Sequence, residues 1–178
     1  MSSLILSYFF MWVITVKEYI DYYQRNKQLD KMYIERYGNI DNKCYEKNCL
    51  ELVVELSELA NESKCFKYWS MKKPDKDALL EEYADCLSML LCIFNYYDID
   101  NLELLDIELS FDIIFVFNEI IRMCTLLMNK DNVNDNLLKE IFTYLLHIAK
   151  LLDITDRDIL DACYKKIGKN IERLNSDY

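Results

Sequence analysis

Apolar positions recur along this chain at the three-to-four residue spacing of helices, and polar stretches break the rhythm only a few times. From about Leu4 to Tyr33 the pattern predicts a first helix, and the polar residues around Gly38 to Asn42 end it. A second helix, roughly Tyr45 to Phe66, sets Leu52, Leu56 and Leu59 on one flank and Glu51, Glu55, Glu58 and Glu62 on another. After a loop holding Lys72, Lys73 and Pro74, Asp75 or Asp77 can cap a third helix running to about Tyr97. Dense apolar residues from Leu102 through Met128 predict one or two further helices. Asn136 to Leu152 is amphipathic, and Thr155 caps a last helix reaching about Leu174. The expectation is an all-α bundle of five or six helices in one domain spanning 1–178, with 1–16 as an apolar helical extension at its start.

Composition sharpens this picture. Two glycines and one proline are too few turn residues for a many-stranded protein. Apolar residues at 52% and aromatics at 13% exclude a disordered chain despite a formal net charge of −10. That acidity, with no basic stripe, argues against a polymeric nucleic acid as partner. It does not argue against a metal-bound nucleotide, because divalent cations neutralise carboxylates and phosphates together.

Leu4 to Val16 is strongly apolar, but no basic residue precedes it and no small-residue cleavage site follows, and it is too short to span a bilayer. It reads as a helix docked on the core or on a partner subunit, with no membrane role. The seven cysteines include no CxxC pair and read as small buried hydrophobes, which points to a reducing cytoplasm. The one histidine, His147, lies among Leu145, Leu146 and Ile148, and is expected to be structural rather than a zinc ligand.

The chemistry resides in Glu55-Leu-Ser-Glu58 on the second helix and Glu82-Tyr-Ala-Asp85 on the third. Each pair, spaced i, i+3, shares a helical face, and antiparallel packing across the short loop would bring all four carboxylates together. Such crowding demands protons or divalent cations, and all-oxygen ligation selects Mg²⁺ or Mn²⁺. An acidic pair on an exposed helix is also what any solvated face carries. Glu51, Glu81 and Glu103, outside the pattern, are read as solvated charges. Near the end, Lys166, Asn170 and Arg173 at i, i+4, i+7 share a face suited to gripping phosphates, or to complementing the helix dipole.

The run from Glu55 to Trp69 (ELSELANESKCFKYW), followed by Leu80-Glu-Glu82-Tyr-Ala-Asp85, resembles the core of the dimeric dUTPases, which belong with the MazG-like all-α nucleotide pyrophosphohydrolases. Tyr164 to Tyr178 (YKKIGKNIERLNSDY) is similar to that family's closing Y..KN..N..RQ..GY motif. The resemblance implies Mg²⁺ ligation by Glu55, Glu58, Glu82 and Asp85, with Glu62 as an additional carboxylate and with Glu58 and Glu55 as the catalytic pair, Glu58 orienting the attacking water. It further implies hydrolysis of dUTP, or dUDP, to dUMP, with Lys166, Asn170 and Arg173 on the phosphates and Lys67, Trp69 and Tyr178 about the substrate. It also implies a homodimer, for which the apolar first and fourth helices could supply the interface. The family's base-reading Q..LN segment is replaced here by Asn26-Lys-Gln28-Leu29-Asp30, so Asn26 and Asp30 are the candidates for that role. Ser88-Met89 stands where relatives carry His-Phe, and Ile167, Leu174 and Asp177 depart from the closing motif. Two other readings stay open: a MazG-type house-cleaning pyrophosphohydrolase for another nucleotide, and a non-catalytic helical interaction module.

Overall fold

A computed structural model describes the backbone of residues 2–38 and 42–176, and the side chains of 18–38 and 45–176. Six α-helices follow one another: α1 (Ser2–Tyr37), α2 (Asn42–Ser63), α3 (Lys76–Tyr96), α4 (Ile113–Leu127), α5 (Asp135–Leu151) and α6 (Asp156–Asn175), with a single 3₁₀ turn at Lys130–Asn132. Among the described residues there is no strand, and no helix is long and apolar enough to cross a membrane. Helical α1 begins well before Val16; the side chains of that first stretch lie outside the described residues, as does the question of what it docks on.

The helix starts are written in the sequence as predicted. Asp75 Oδ1 accepts from the backbone N–H of Asp77 at 3.0 Å and of Ala78 at 3.2 Å, which fixes the entry to α3. Thr155 and Asp158 form a reciprocal capping box at the start of α6. The helix ends use another device. Gly38 closes α1 with φ +86 and its N–H on the Ile34 carbonyl, but Lys64, Asp98 and Asp153 take the left-handed conformation with φ of 57, 54 and 54 just beyond α2, α3 and α5. A chain so poor in glycine thus still stops its helices, using polar side chains at the stops.

Of the one or two helices expected over Leu102–Met128 one forms, at Ile113–Leu127, and residues 99–110 before it run without regular structure. The physical reason is competition for the backbone. Three side chains on one face of α5, spaced i, i+4, i+8, hold the segment. Lys139 pairs with Glu103 at 3.2 Å, Thr143 Oγ1 accepts from the Leu105 N–H at 3.0 Å, and His147 Nε2 bonds the Ser110 carbonyl at 2.7 Å. Leu102 is fully buried at the start of this strap, so its apolar side chains are anchored without a helix. His147 is structural, as expected.

The α2 and α3 helices form the most extensive helix pair, and α3 also packs on α6, α1 and α5. Leu52, Leu56 and Leu59 on α2 meet Tyr83, Leu87 and Leu90 on α3 in the core, all fully or almost fully buried. Two buried tyrosines reach backbone acceptors: Tyr83 donates to the Leu145 carbonyl at 2.9 Å and Tyr45 to the Leu127 carbonyl at 2.7 Å. The described cysteines are all free thiols, four of the six buried.

Candidate active site

The antiparallel α2–α3 pair brings three of the four expected carboxylates together. Carboxylate oxygens of Glu55, Glu82 and Asp85 all lie within 4.8 Å of one another, each residue half-buried. Their apolar neighbours, Leu56 and Leu59 on α2 and Tyr83, Ala84 and Cys86 on α3, face the core and fix the rotation of both helices. The carboxylates are thereby held at the seam. Glu58 stands at the exposed rim, close enough for its charge to raise Glu82, so it belongs to the cluster's edge rather than to its tightest group.

Electrostatics record the crowding. Burial first, then the charges of Asp85, Glu58, Glu82 and Glu51, push the Glu55 carboxyl up to about 7. Glu82 is likewise pushed up to about 7, by burial and then by Glu58 and Asp85. Asp85 is raised by burial, against the opposing pull of Lys166. Three acids that resist ionising together at one point need a partner cation, and oxygen-only donors at this spacing suit a hard divalent ion. The residues present therefore fit Mg²⁺ or Mn²⁺.

One cation already reaches the cluster from the protein itself. Lys166 on α6 puts Nζ 2.6 Å from Asp85 Oδ2, with both side chains mostly buried. Arg173, two turns further along α6, is exposed, yet its charge is felt by Asp85 and by the Tyr33 hydroxyl. Asn170 lies half-buried between them on the same helix. Of the α6 face read from the sequence, Lys166 touches the carboxylates and Arg173 acts on Asp85 through its charge.

Glu51, read as a solvated charge, lies near the cluster. It remains exposed, but burial at its carboxyl and the charge of Asp85 raise it, while Lys166 opposes the rise. Its i, i+4 spacing from Glu55 was the available signal. Glu81 bonds Lys169 at 2.8 Å and Glu103 bonds Lys139, so both are paired surface charges. Glu62 is half-buried next to Asn61, whose Nδ2 donates to it at 3.1 Å, and the structure gives it no contact with the tight cluster.

The other candidates divide. Asn26 is fully buried: Nδ2 donates to Ser88 Oγ at 2.8 Å, and Oδ1 lies 3.5 Å from the Cys92 sulfur, whose single proton it shares with the nearer Asp30 carboxylate. Two departures from the family pattern, at Asn26 and Ser88, thus bond to each other. Asp30, one turn further on and only half-buried, accepts from Cys92 at 3.1 Å and from Asn95 Nδ2 at 2.9 Å. Lys67 and Trp69 sit in the α2–α3 loop, where Trp69 is 65% exposed and touches the rings of Phe66 and Tyr68. Tyr178 lies outside the described residues.

A family model described as dUTPase matches residues 19–178, nearly the whole chain. This chain belongs to the all-α dUTPase family. It is a hydrolase of the dUTP diphosphatase class, with an acidic cluster where the family's metal dependence calls for one. Among curated proteins, none matches the chain. The match begins at residue 19, so the apolar stretch before it stands outside the family region of this dUTPase-family chain.

Proposed function

We propose that this chain hydrolyses dUTP, and dUDP, to dUMP with Mg²⁺, releasing pyrophosphate from the triphosphate. The observation that carries the reading is the trio Glu55, Glu82 and Asp85 within 4.8 Å at the α2–α3 seam, faced by Lys166 and Arg173 from α6. Glu55, Glu82 and Asp85 would hold the divalent ion, with Glu58 completing the set from the rim and Mn²⁺ able to substitute. When bound, that ion neutralises the triphosphate and lowers the pKa of water at the site.

The chain's own residues then do the positioning. In this reading Glu58, exposed beside Glu82, orients the attacking water and takes its proton, with Glu55 next to it. Lys166, Asn170 and Arg173 steer the phosphates, and the guanidinium of Arg173 can fork two of their oxygens. Water adds at the α-phosphorus as the bond to the bridging oxygen breaks, and the electron pair leaves with pyrophosphate. Lys67 and Trp69, on a loop whose Tyr68 and Met71 are almost fully exposed, are available to fold over a bound nucleotide.

The same reading includes a homodimer. Leu50 and Val54 on α2 and Ile114, Phe115 and Leu126 on α4 are large apolar side chains left exposed on two helices that pack together, which supports a second copy as cover. Sedimentation at micromolar concentration tests this directly.

Pyrophosphate release from a panel of deoxynucleoside triphosphates, with Mg²⁺ and with chelator, tests the reaction. Metal-dependent turnover of dUTP, lost in Glu58→Gln and Asp85→Asn, is the expected result. Turnover of another nucleotide alone would move the chain to the house-cleaning reading, and none at all would leave a helical interaction module.

A further inference from the structure

Lys166 stands between two surroundings. On one side its Nζ lies 2.6 Å from Asp85 Oδ2, with both side chains mostly buried, and among the described residues it is the cation that ion-pairs with the carboxylate cluster. On the other side the same lysine borders a cleft between α3 and α6, which it lines together with Leu80, Glu81, Asp161 and Lys169. The ammonium therefore has room to leave the seam by turning its own stem, with α6 staying in place, and acidic groups line its way out.

Asp85 belongs at once to this ion pair and to the trio whose oxygens lie within 4.8 Å of one another. A divalent ion seated on the trio would share the aspartate with the ammonium and lie about 4–6 Å from it. At that range a double and a single positive charge repel by about a tenfold change in affinity even at the screening of bulk water, and by more in a half-buried seam. Phosphate oxygens supply what the ammonium loses on moving. Asn170 and Arg173 follow Lys166 at i+4 and i+7 on the same face of α6, so a triphosphate brought against that face offers the lysine a second anion.

We propose that Lys166 is a tethered counter-ion that leaves Asp85 when a divalent ion seats, so that metal and nucleotide bind cooperatively through this one side chain. This rests on the metal and nucleotide reading of the site given above. Lys166 is a positioning residue in this role, acting on the ion through Asp85. The coupling is reciprocal: the nucleotide tightens the ion by the factor by which the ion tightens the nucleotide.

The test is Mn²⁺ binding to the full chain at pH 8, followed by the paramagnetic resonance of the free ion, in wild type, Lys166→Met and Lys166→Arg. With no nucleotide present, Lys166→Met should bind Mn²⁺ about tenfold more tightly than wild type, and Lys166→Arg, which keeps the charge, should stay close to wild type. A non-hydrolysable dUTP analogue should then raise Mn²⁺ affinity by a factor about tenfold smaller in Lys166→Met than in wild type. Mn²⁺ bound equally or more weakly by Lys166→Met, as loss of a merely structural lysine would give, overturns the proposal. Wild type supplies a check that needs no variant: amine acetylation mapped by mass spectrometry should find Lys166 protected in chelator and labelled with Mg²⁺, and protection unchanged by saturating Mg²⁺ overturns the proposal as well. Mn²⁺ bound by none of the three proteins would overturn the metal reading of the site and this inference with it, so the two failures are told apart.

Discussion

Replacing Glu82 with glutamine should stabilise the metal-free protein, and only above mildly acidic pH. In the unfolded chain this carboxyl ionises near 4.5, whereas in the fold it is pushed up to about 7. Between those values the unfolded chain has released its proton and the folded chain still holds it, so rising pH favours unfolding, and the loss is complete above about 7. A shift of that size corresponds to about 3 kcal/mol at 1.36 kcal/mol per unit. Partial solvent access and sharing of the strain with Glu55, Glu58 and Asp85 reduce what one substitution relieves to about 1–2 kcal/mol. For a chain of this length that is a rise in Tm of about 2–8 °C. Thermal unfolding with chelator at pH 5 and pH 8 measures it. The two proteins should melt together at pH 5 and Glu82→Gln higher at pH 8, while Mg²⁺ should stabilise the wild type alone. A Glu82→Gln protein less stable than wild type at pH 8 would refute the crowded-carboxylate argument.

Lys166→Met removes the cation that, among the described residues, touches the cluster, and takes from Asp85 its ion-pair partner; Tm in chelator should fall by a few degrees, Mg²⁺ should restore most of it, and KM for the nucleotide should rise. Asn26→Ala removes the buried amide bonded to the Ser88 hydroxyl and should cost about 1–3 kcal/mol in urea denaturation. Asp153→Gly relieves a left-handed residue at φ 54 and should add about 0.5–1 kcal/mol, read as a higher urea midpoint at unchanged activity.

Much of this was legible before any coordinates. Periodic leucines and acidic faces placed α2 and α3, and because their hairpin is short, the i, i+3 pairs had one way to meet. Asp75 and Thr155 announced helix starts through local chemistry that needs no tertiary information. The strap at 99–110 was not legible, because its apolar density matches a helix and the groups that hold it, Lys139, Thr143 and His147, are about 40 residues away. Nor was the ranking within the quartet, which places Glu58 at the rim; that depends on the rotation of two packed helices rather than on spacing. The Asn26–Ser88 bond was hidden as well, since each residue taken alone is only a departure from a pattern.

The three anchors of the strap make α5 a ruler. Lys139, Thr143 and His147 are read by Glu103, Leu105 and Ser110 in the same order along both segments, so a slip of α5 by one turn would break all three contacts at once. A segment held at several fixed marks can change its residues between them far more freely than its length. The amide of Leu105, bonded only through the Thr143 hydroxyl, should exchange with solvent hydrogen whenever α5 loosens, making one backbone position a gauge of the whole helix.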